Sequence, residues 1–247
     1  MPETTDKQKT IQDLQRQILA WQGYKETGQP SLSLGLGDLE KVFPGKVFPR
    51  GAMHEFMTFC PEDKAASTGF IASLLSKLMR KGGTALWISG SPELFPPSLQ
   101  TFGLEPDRMV FVCIKKEKDR LWALEEALKC DALCVVVAEI NDVDFVQSRR
   151  LQLVVEESKV TGLLLRTAPR VQMTTACTVR WHIRALPSVT EGGLPGVGFP
   201  AWDVMLLKVR NGNPSHWQIA WQNNAFVLQQ QKHSDIPGSK IVNRKVG

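Results

Sequence analysis

Apolar residues follow two alternating rhythms along the chain. Continuous apolar runs of strand length lie at 53–59 (MHEFMTF), 84–89 (TALWIS), 109–114 (MVFVCI), 133–140 (LCVVVAEI) and 162–166 (GLLLR). Between them the spacing turns helical. Phe70, Ile71, Leu74, Leu75, Leu78 and Met79 share one stripe, and Leu121, Trp122, Leu124, Ala127 and Leu128 line a second helix over 117–130. Leu151, Leu153, Val154 and Val155 belong to a third over 145–159. Strands apolar on both faces and alternating with helices predict a mostly parallel sheet with helices on both faces, an α/β fold. A proline-rich loop over 90–97 and a short helix over 97–102, stopped by Gly103, interrupt the alternation once.

Past Thr167 the rhythm changes. Over 178–186 strict alternation sets Val179, Trp181, Ile183 and Ala185 on one face and Arg180, His182 and Arg184 on the other. After a Gly/Pro-rich loop at 191–200, residues 202–210 and 217–222 read as a hairpin across 211–215, so the core is predicted to end in antiparallel strands. At the other end, Ile11, Leu14, Ile18 and Trp21 form a stripe over 5–23. A helix of that length is not stable alone and must dock on this protein or on another. A linker (24–30) and a lead-in (31–51) with glycines at 35, 37, 45 and 51 and prolines at 44 and 49 follow, suited to wrapping under the first strand. The expected organisation is thus an N-terminal helix and linker over 1–30, a core over 31–228 with an antiparallel extension from about 178, and a disordered polar tail over 229–247.

Composition narrows the class. A chain of 247 residues, 43% hydrophobic and 22% charged, can build one soluble core with an appendage. No apolar run approaches the roughly 18 residues of a membrane span, and the polar start MPETTDKQKTIQDLQ carries no signal core. An odd set of five cysteines, mostly inside apolar runs, fits reduced thiols in a cytoplasmic protein. The net charge of +5 is unevenly placed: residues 1–147 hold 17 Lys/Arg against 20 Asp/Glu, and residues 148–247 hold 13 against 5. A basic C-terminal third suits an anionic partner or, equally, a solvated surface.

The candidate chemistry sits at the first strand, loop and helix. A nucleotide-hydrolysing fold places G-x-x-x-x-G-K-[ST] there, with glycines that let backbone amides converge on phosphate, a lysine for its charge and a hydroxyl for Mg²⁺. Here the strand over 53–59 and a polar loop over 60–66 lead into Cys60, Pro61, Glu62, Asp63, Lys64, Ala65, Ala66, Ser67, Thr68 and Gly69. No glycine precedes Gly69, alanine follows Lys64, and Glu62 and Asp63 add negative charge where phosphate would sit. Gly45-Lys46, the other such pair in an ordered stretch, is followed by Val47. The place for ATP is there and its chemistry is not, so no cofactor is expected.

The order of these pieces resembles the RecA core, in which a Gly-rich lead-in and a strand ending in Glu precede the phosphate loop. The corresponding residues are Leu32-Ser33-Leu34, the stretch from Phe43-Pro44-Gly45 through Phe48-Pro49-Arg50-Gly51, and His54-Glu55-Phe56. More closely the chain is similar to the ImuA family of bacterial RecA-like accessory proteins of translesion synthesis. The residues that carry this are Pro49-Arg50-Gly51-Ala52-Met53-His54-Glu55, Leu86-Trp87, Leu94-Phe95-Pro96-Pro97 and Gly103-Leu104-Glu105-Pro106-Asp107-Arg108. Downstream they continue in residues 121–128 (LWALEEAL), 148–153 (SRRLQL) and Arg180-Trp181, so the match runs from about 31 to 228. The resemblance implies a non-polymerase component of an inducible mutagenic repair complex, and the stripped phosphate loop makes a scaffold without catalysis the expectation. Its partners would be ImuB, a Y-family-polymerase-like protein, and an error-prone polymerase III α-type subunit, with RecA as a further partner. The same superfamily contains SulA, a division inhibitor that binds FtsZ and also lacks the nucleotide loop, but SulA-type chains look shorter and lack the lead-in and the hairpin. A residual ATPase of the RecA class is the remaining alternative. It would need acids after the second and fourth strands; 87–91 (WISGS) offers none, and Glu139 alone stands at the other place.

Three further expectations concern surfaces. Arg149, Arg150, Arg180, Arg184, Lys208 and Arg210, near Trp181, Trp202, Trp217 and Trp221, are candidate contacts to DNA, by backbone neutralisation with base stacking. Neutralising about four phosphates would give log affinity a slope near −3 against log salt. The competing reading makes Trp217, Ile219 and Trp221 one face of a hairpin core. No metal is expected: Cys130 and Cys134 are four apart without a second pair, and His54, His182, His216 and His233 are scattered. By RecA analogy the N-terminal helix bridges protomers of an oligomer; alternatively it packs on its own core. Partner binding is placed in 187–247, so truncation near 186 should leave a folded core that has lost the partner.

Overall fold

The computed structural model describes Leu14 and residues 33–80, 82–167, 174–190 and 196–229, and in them nine strands hydrogen-bond into one sheet. The strands are β1 (Met53–Thr58), β2 (Thr84–Ser89), β3 (Met109–Cys113), β4 (Leu133–Glu139), β5 (Thr161–Thr167), β6 (Val179–Val189), β7 (Phe199–Val209), β8 (Ser215–Gln222) and β9 (Ala225–Leu228). Their order is β3-β2-β4-β5-β1-β6-β7-β8-β9. Every pairing as far as β1–β6 is parallel, and β6 to β9 run antiparallel.

Three α-helices cover the sheet: α1 (Pro61–Leu78), α2 (Glu117–Leu128) and α3 (Phe145–Ser158). Phe70, Ile71, Leu74 and Leu75 of α1 pack on Phe56, Trp87, Val137, Leu165 and Trp181 on one side of the sheet. Leu124 and Leu128 of α2, with Leu151 and Val155 of α3, pack on Met53, Ile88, Val136 and Leu164 on the other. Parallel strands apolar on both faces demand this double cover. The result is a RecA-like core that ends in antiparallel strands.

The lead-in forms 3₁₀ turns at Gly37–Val42 and Pro44–Lys46 and buries Leu34, Leu36, Leu39, Phe43 and Phe48 on the α1 side. Gly51 closes it: its φ is +58°, a Cβ there would lie 3.1 Å from the Lys159 Cα, and its N–H reaches Thr161 Oγ1 at 3.2 Å. At α3, Asp144 accepts the Gln147 N–H and the Gln147 side chain accepts the Asp144 N–H, a reciprocal cap that fixes the helix start.

Three local expectations need correction. Residues 60–66 are not a loop, because α1 already starts at Pro61. The strand read over 178–186 runs on to Val189 as β6, and Ala185 is exposed on it. An additional strand, β9, follows a tight turn at Asn223-Asn224, both at positive φ (50° and 56°), a conformation asparagine tolerates and a short hairpin needs. The predicted helix over 5–23, the linker and the tail lie outside the described residues, except that Leu14 is helical and exposed and that Gln229 donates its N–H to Gln218. No helix among the described residues is long and apolar enough to cross a membrane.

Candidate functional site

β1 ends at Thr58 and α1 begins at Pro61, so Phe59 and Cys60 alone join them. A phosphate cradle needs a longer loop whose amides turn inward. Here proline takes the first helical position and Glu62 and Asp63 the first turn, which is what a helix start favours. The Lys64 N–H is committed to the Cys60 carbonyl at 3.1 Å. A helix N-terminus would attract an anion, but the chain supplies its own. The Asp63 carboxylate accepts the Phe59 N–H at 3.2 Å and pairs with His182 Nε2 at 3.0 Å. Burial works to raise the Asp63 carboxyl, but the His182 bond and the Phe59 amide outweigh it and hold it below the ordinary value.

Lys64 is equally committed. Its Nζ lies 2.7 Å from Glu93 and 3.2 Å from Glu139, and Trp87 Nε1 donates to Glu139 at 3.1 Å. Burial pulls the ammonium down, and the bonds and charges of the two carboxylates overcome it, so its pKa is raised. Glu139, the one acid at a place where a RecA-type site would orient Mg²⁺, is thus the counter-ion of the one lysine that could meet a phosphate. The hydroxyls are turned away as well. Thr68 Oγ1 donates to the Lys64 carbonyl at 2.8 Å, and Ser67 is fully buried in the helix interface. Gly69 is a packing glycine, since a Cβ would sit 3.3 Å from both Phe102 and Trp202.

The basic residues fall into two groups. Arg149 and Arg150 are exposed on α3, with Arg150 reaching Glu125 of α2 at 2.5 Å. Arg180, Arg184, Lys208 and the neighbouring Arg210 follow β6 and β7. Arg180 Nε donates to Glu55 at 2.8 Å, Arg184 pairs with Asp203, and Lys208 Nζ donates to the Thr175 carbonyl at 2.9 Å. Arg210 donates to the Ala176 carbonyl at 3.1 Å and lies 3.6 Å from Glu156. The tryptophans face the other way. Trp181, Trp202 and Trp221 are buried in the α1-side core and Trp217 packs against it, so the hairpin-core reading holds and these rings offer bases no platform. Two-residue alternation separates side chains that adjoin in sequence.

Charged residues inside apolar runs mark a feature not anticipated from the sequence. Glu55 of β1 and Arg166 of β5, both with no exposure, form an ion pair, which Arg180 and Thr175 (Oγ1 to Oε2, 2.8 Å) complete. The pair ties β1, β5 and β6 to the segment at 174–178. Among the described residues no group of three or more His, Cys, Asp or Glu side chains could hold a metal ion. Cys130 is exposed and Cys134 half-buried, with its thiol directed to the Thr84 carbonyl at 3.4 Å.

Fold and site together define a RecA-like protein whose nucleotide turn is closed by its own side chains. No protein-family model matches the chain. It is 33% identical over 208 residues, 79% of its length, to Protein ImuA from two strains of Caulobacter vibrioides, covering 85% of that protein. The chain belongs to the ImuA family.

Proposed function

We propose that this protein is a non-catalytic accessory scaffold of an SOS-induced, error-prone translesion repair complex. It binds a Y-family-polymerase-like protein of the ImuB type together with an error-prone polymerase III α-type subunit, and engages RecA and DNA through its surfaces. The observation that carries the reading is the Lys64 ammonium held between Glu93 and Glu139 at the head of a helix that starts two residues after β1. A lysine so paired has little left to offer a γ-phosphate, and a two-residue link cannot wrap one. Family membership supports the repair context.

Within 187–247 we favour the part after β9 for partner binding, a reading supported by the packing of β7 and β8 in the main core. The segment 230–247, with Lys232, Lys240, Arg244 and Lys245 against Asp235, carries net positive charge and follows the last described strand in the sequence. Tagged full-length chain and a 1–229 variant, recovered from DNA-damaged cells and analysed by mass spectrometry, test this. Full-length chain should bring down the polymerase-like partner and the 1–229 variant should not. Recovery of FtsZ instead would make the protein a division inhibitor, and equal recovery by both variants would refute the placement.

A further inference from the structure

β3 is one of the two edges of the sheet, and it lacks the protections edges usually carry. Its sequence, MVFVC, holds neither charge nor proline; Val110 is 47% and Phe111 37% exposed, and Cys113 is exposed. The direction of its backbone is fixed by the inner neighbour. The Ile114 N–H bonds the Ser89 carbonyl of β2 at 2.8 Å, so residues 110, 112 and 114 face β2. Phe111 and Cys113 therefore aim both N–H and C=O outward, while the Met109 N–H is taken by Pro106 and its C=O is left to face out. Main-chain groups of this kind in an apolar edge recruit another strand.

We propose that the added strand is β3 of a second copy, paired antiparallel about a two-fold axis at Phe111. The strand is complementary to itself in that register. Asp107, at one end, comes toward Lys115 at the other end of the partner copy, and the same pair forms again across the axis. Both side chains are exposed, and neither makes an ion pair among the described residues. Between them Phe111 meets Phe111, Val110 meets Val112, and each Cys113 N–H reaches the Met109 carbonyl of the other copy. Aromatic and β-branched cross-strand pairs are the contacts that stabilise antiparallel strands. A slip to an axis at Val112 would set Asp107 toward Glu117 and Arg108 toward Lys116, so charge opposes that register. The outcome is one sheet continuous through two molecules, with β9 at each far end.

Sedimentation and light scattering on the full chain over a dilution series test this. Wild type should pass from the 27.6 kDa monomer to twice that mass. Phe111→Lys should stay monomeric with an unchanged circular dichroism spectrum. Asp107→Lys should weaken the dimer, and adding Lys115→Asp should restore it. Should Phe111→Lys fail to fold, cross-linking decides. A hydrogen-bonded antiparallel pair holds its Cα atoms about 5.5 Å apart, within disulfide reach. Phe111→Cys, with Cys60, Cys113 and Cys130 replaced by serine, should therefore oxidise to a covalent dimer. A wild-type chain monomeric at every concentration, a dimer untouched by Phe111→Lys, or a Phe111→Cys chain that never cross-links overturns the proposal.

Discussion

His54 is fully buried, stacked on Phe48 with ring centroids 4.5 Å apart, and bonds the Pro49 carbonyl through Nε2 at 2.7 Å. Burial lowers its pKa from 6.5 to about 4, against the smaller upward pull of the Pro49 bond. The unfolded chain then takes up a proton near 6.5 that the folded chain refuses until about 4. Stability is therefore complete above the unfolded value and declines as pH falls through that window, by about 3 kcal/mol in all. Urea unfolding at pH 7.5 and pH 5 should show the loss, and in His54→Asn the slope across that window should flatten. Glu55 makes a second prediction at this scale. Glu55→Gln leaves the fully buried Arg166 without its counter-charge, and removing one partner of such a pair typically costs about 3–5 kcal/mol. A loss under about 1 kcal/mol in urea melts would contradict the role given to the pair. Single residues also show what a sequence conceals. Lys64 is visibly out of place beside Ala65, yet its partners at 93 and 139 lie on a loop and a strand that only the assembled sheet brings near.

The elements were largely legible because their apolar periods were unmixed. β4 and β5 are apolar on both faces and α1 carries an unbroken stripe, so each could be read without knowing its neighbours. The start of α1 could not be read from the same pattern, since its first turn is polar. The signal was there in other terms: proline followed by two acids is a helix beginning, and the expectation of a phosphate loop displaced it. β9 was missed because four residues are too few for a period, although Asn223-Asn224 marks a turn. The hairpin was found, but not its depth. Trp202, Val204, Leu206, Ile219 and Trp221 share one core with Phe70 of α1. Truncation near 186 should therefore not leave a folded core, as expected from the change of rhythm, but an unfolded or aggregating chain. A chain ending at 229 retains every described strand and helix and should melt within about a degree of full length; calorimetry on both chains checks this.

At the scale of the molecule, a parallel sheet covered on both faces follows from the alternation of strands and helices, and the RecA-like plan is legible in the sequence, whereas the strand order β3-β2-β4-β5-β1 is not. What the surface does was harder to see, because faces are assigned by pairing and not by composition. Among the described residues of the basic C-terminal third, Arg180, Arg184, Lys208 and Arg210 turn toward Glu55, Asp203, Glu156 and main-chain carbonyls, and the tryptophans turn toward the core. The exposed pair Arg149 and Arg150 lies on α3, where Arg150 reaches Glu125. The central claim is that the site has exchanged phosphate for its own carboxylates. Thermal unfolding with and without Mg-ATP tests it most directly. A ligand at a hundredfold excess over its Kd would add about 2.7 kcal/mol, several degrees in a chain of this size. The account predicts no shift at millimolar Mg-ATP, in wild type or in Lys64→Ala. A shift in wild type that disappears in Lys64→Ala would contradict it.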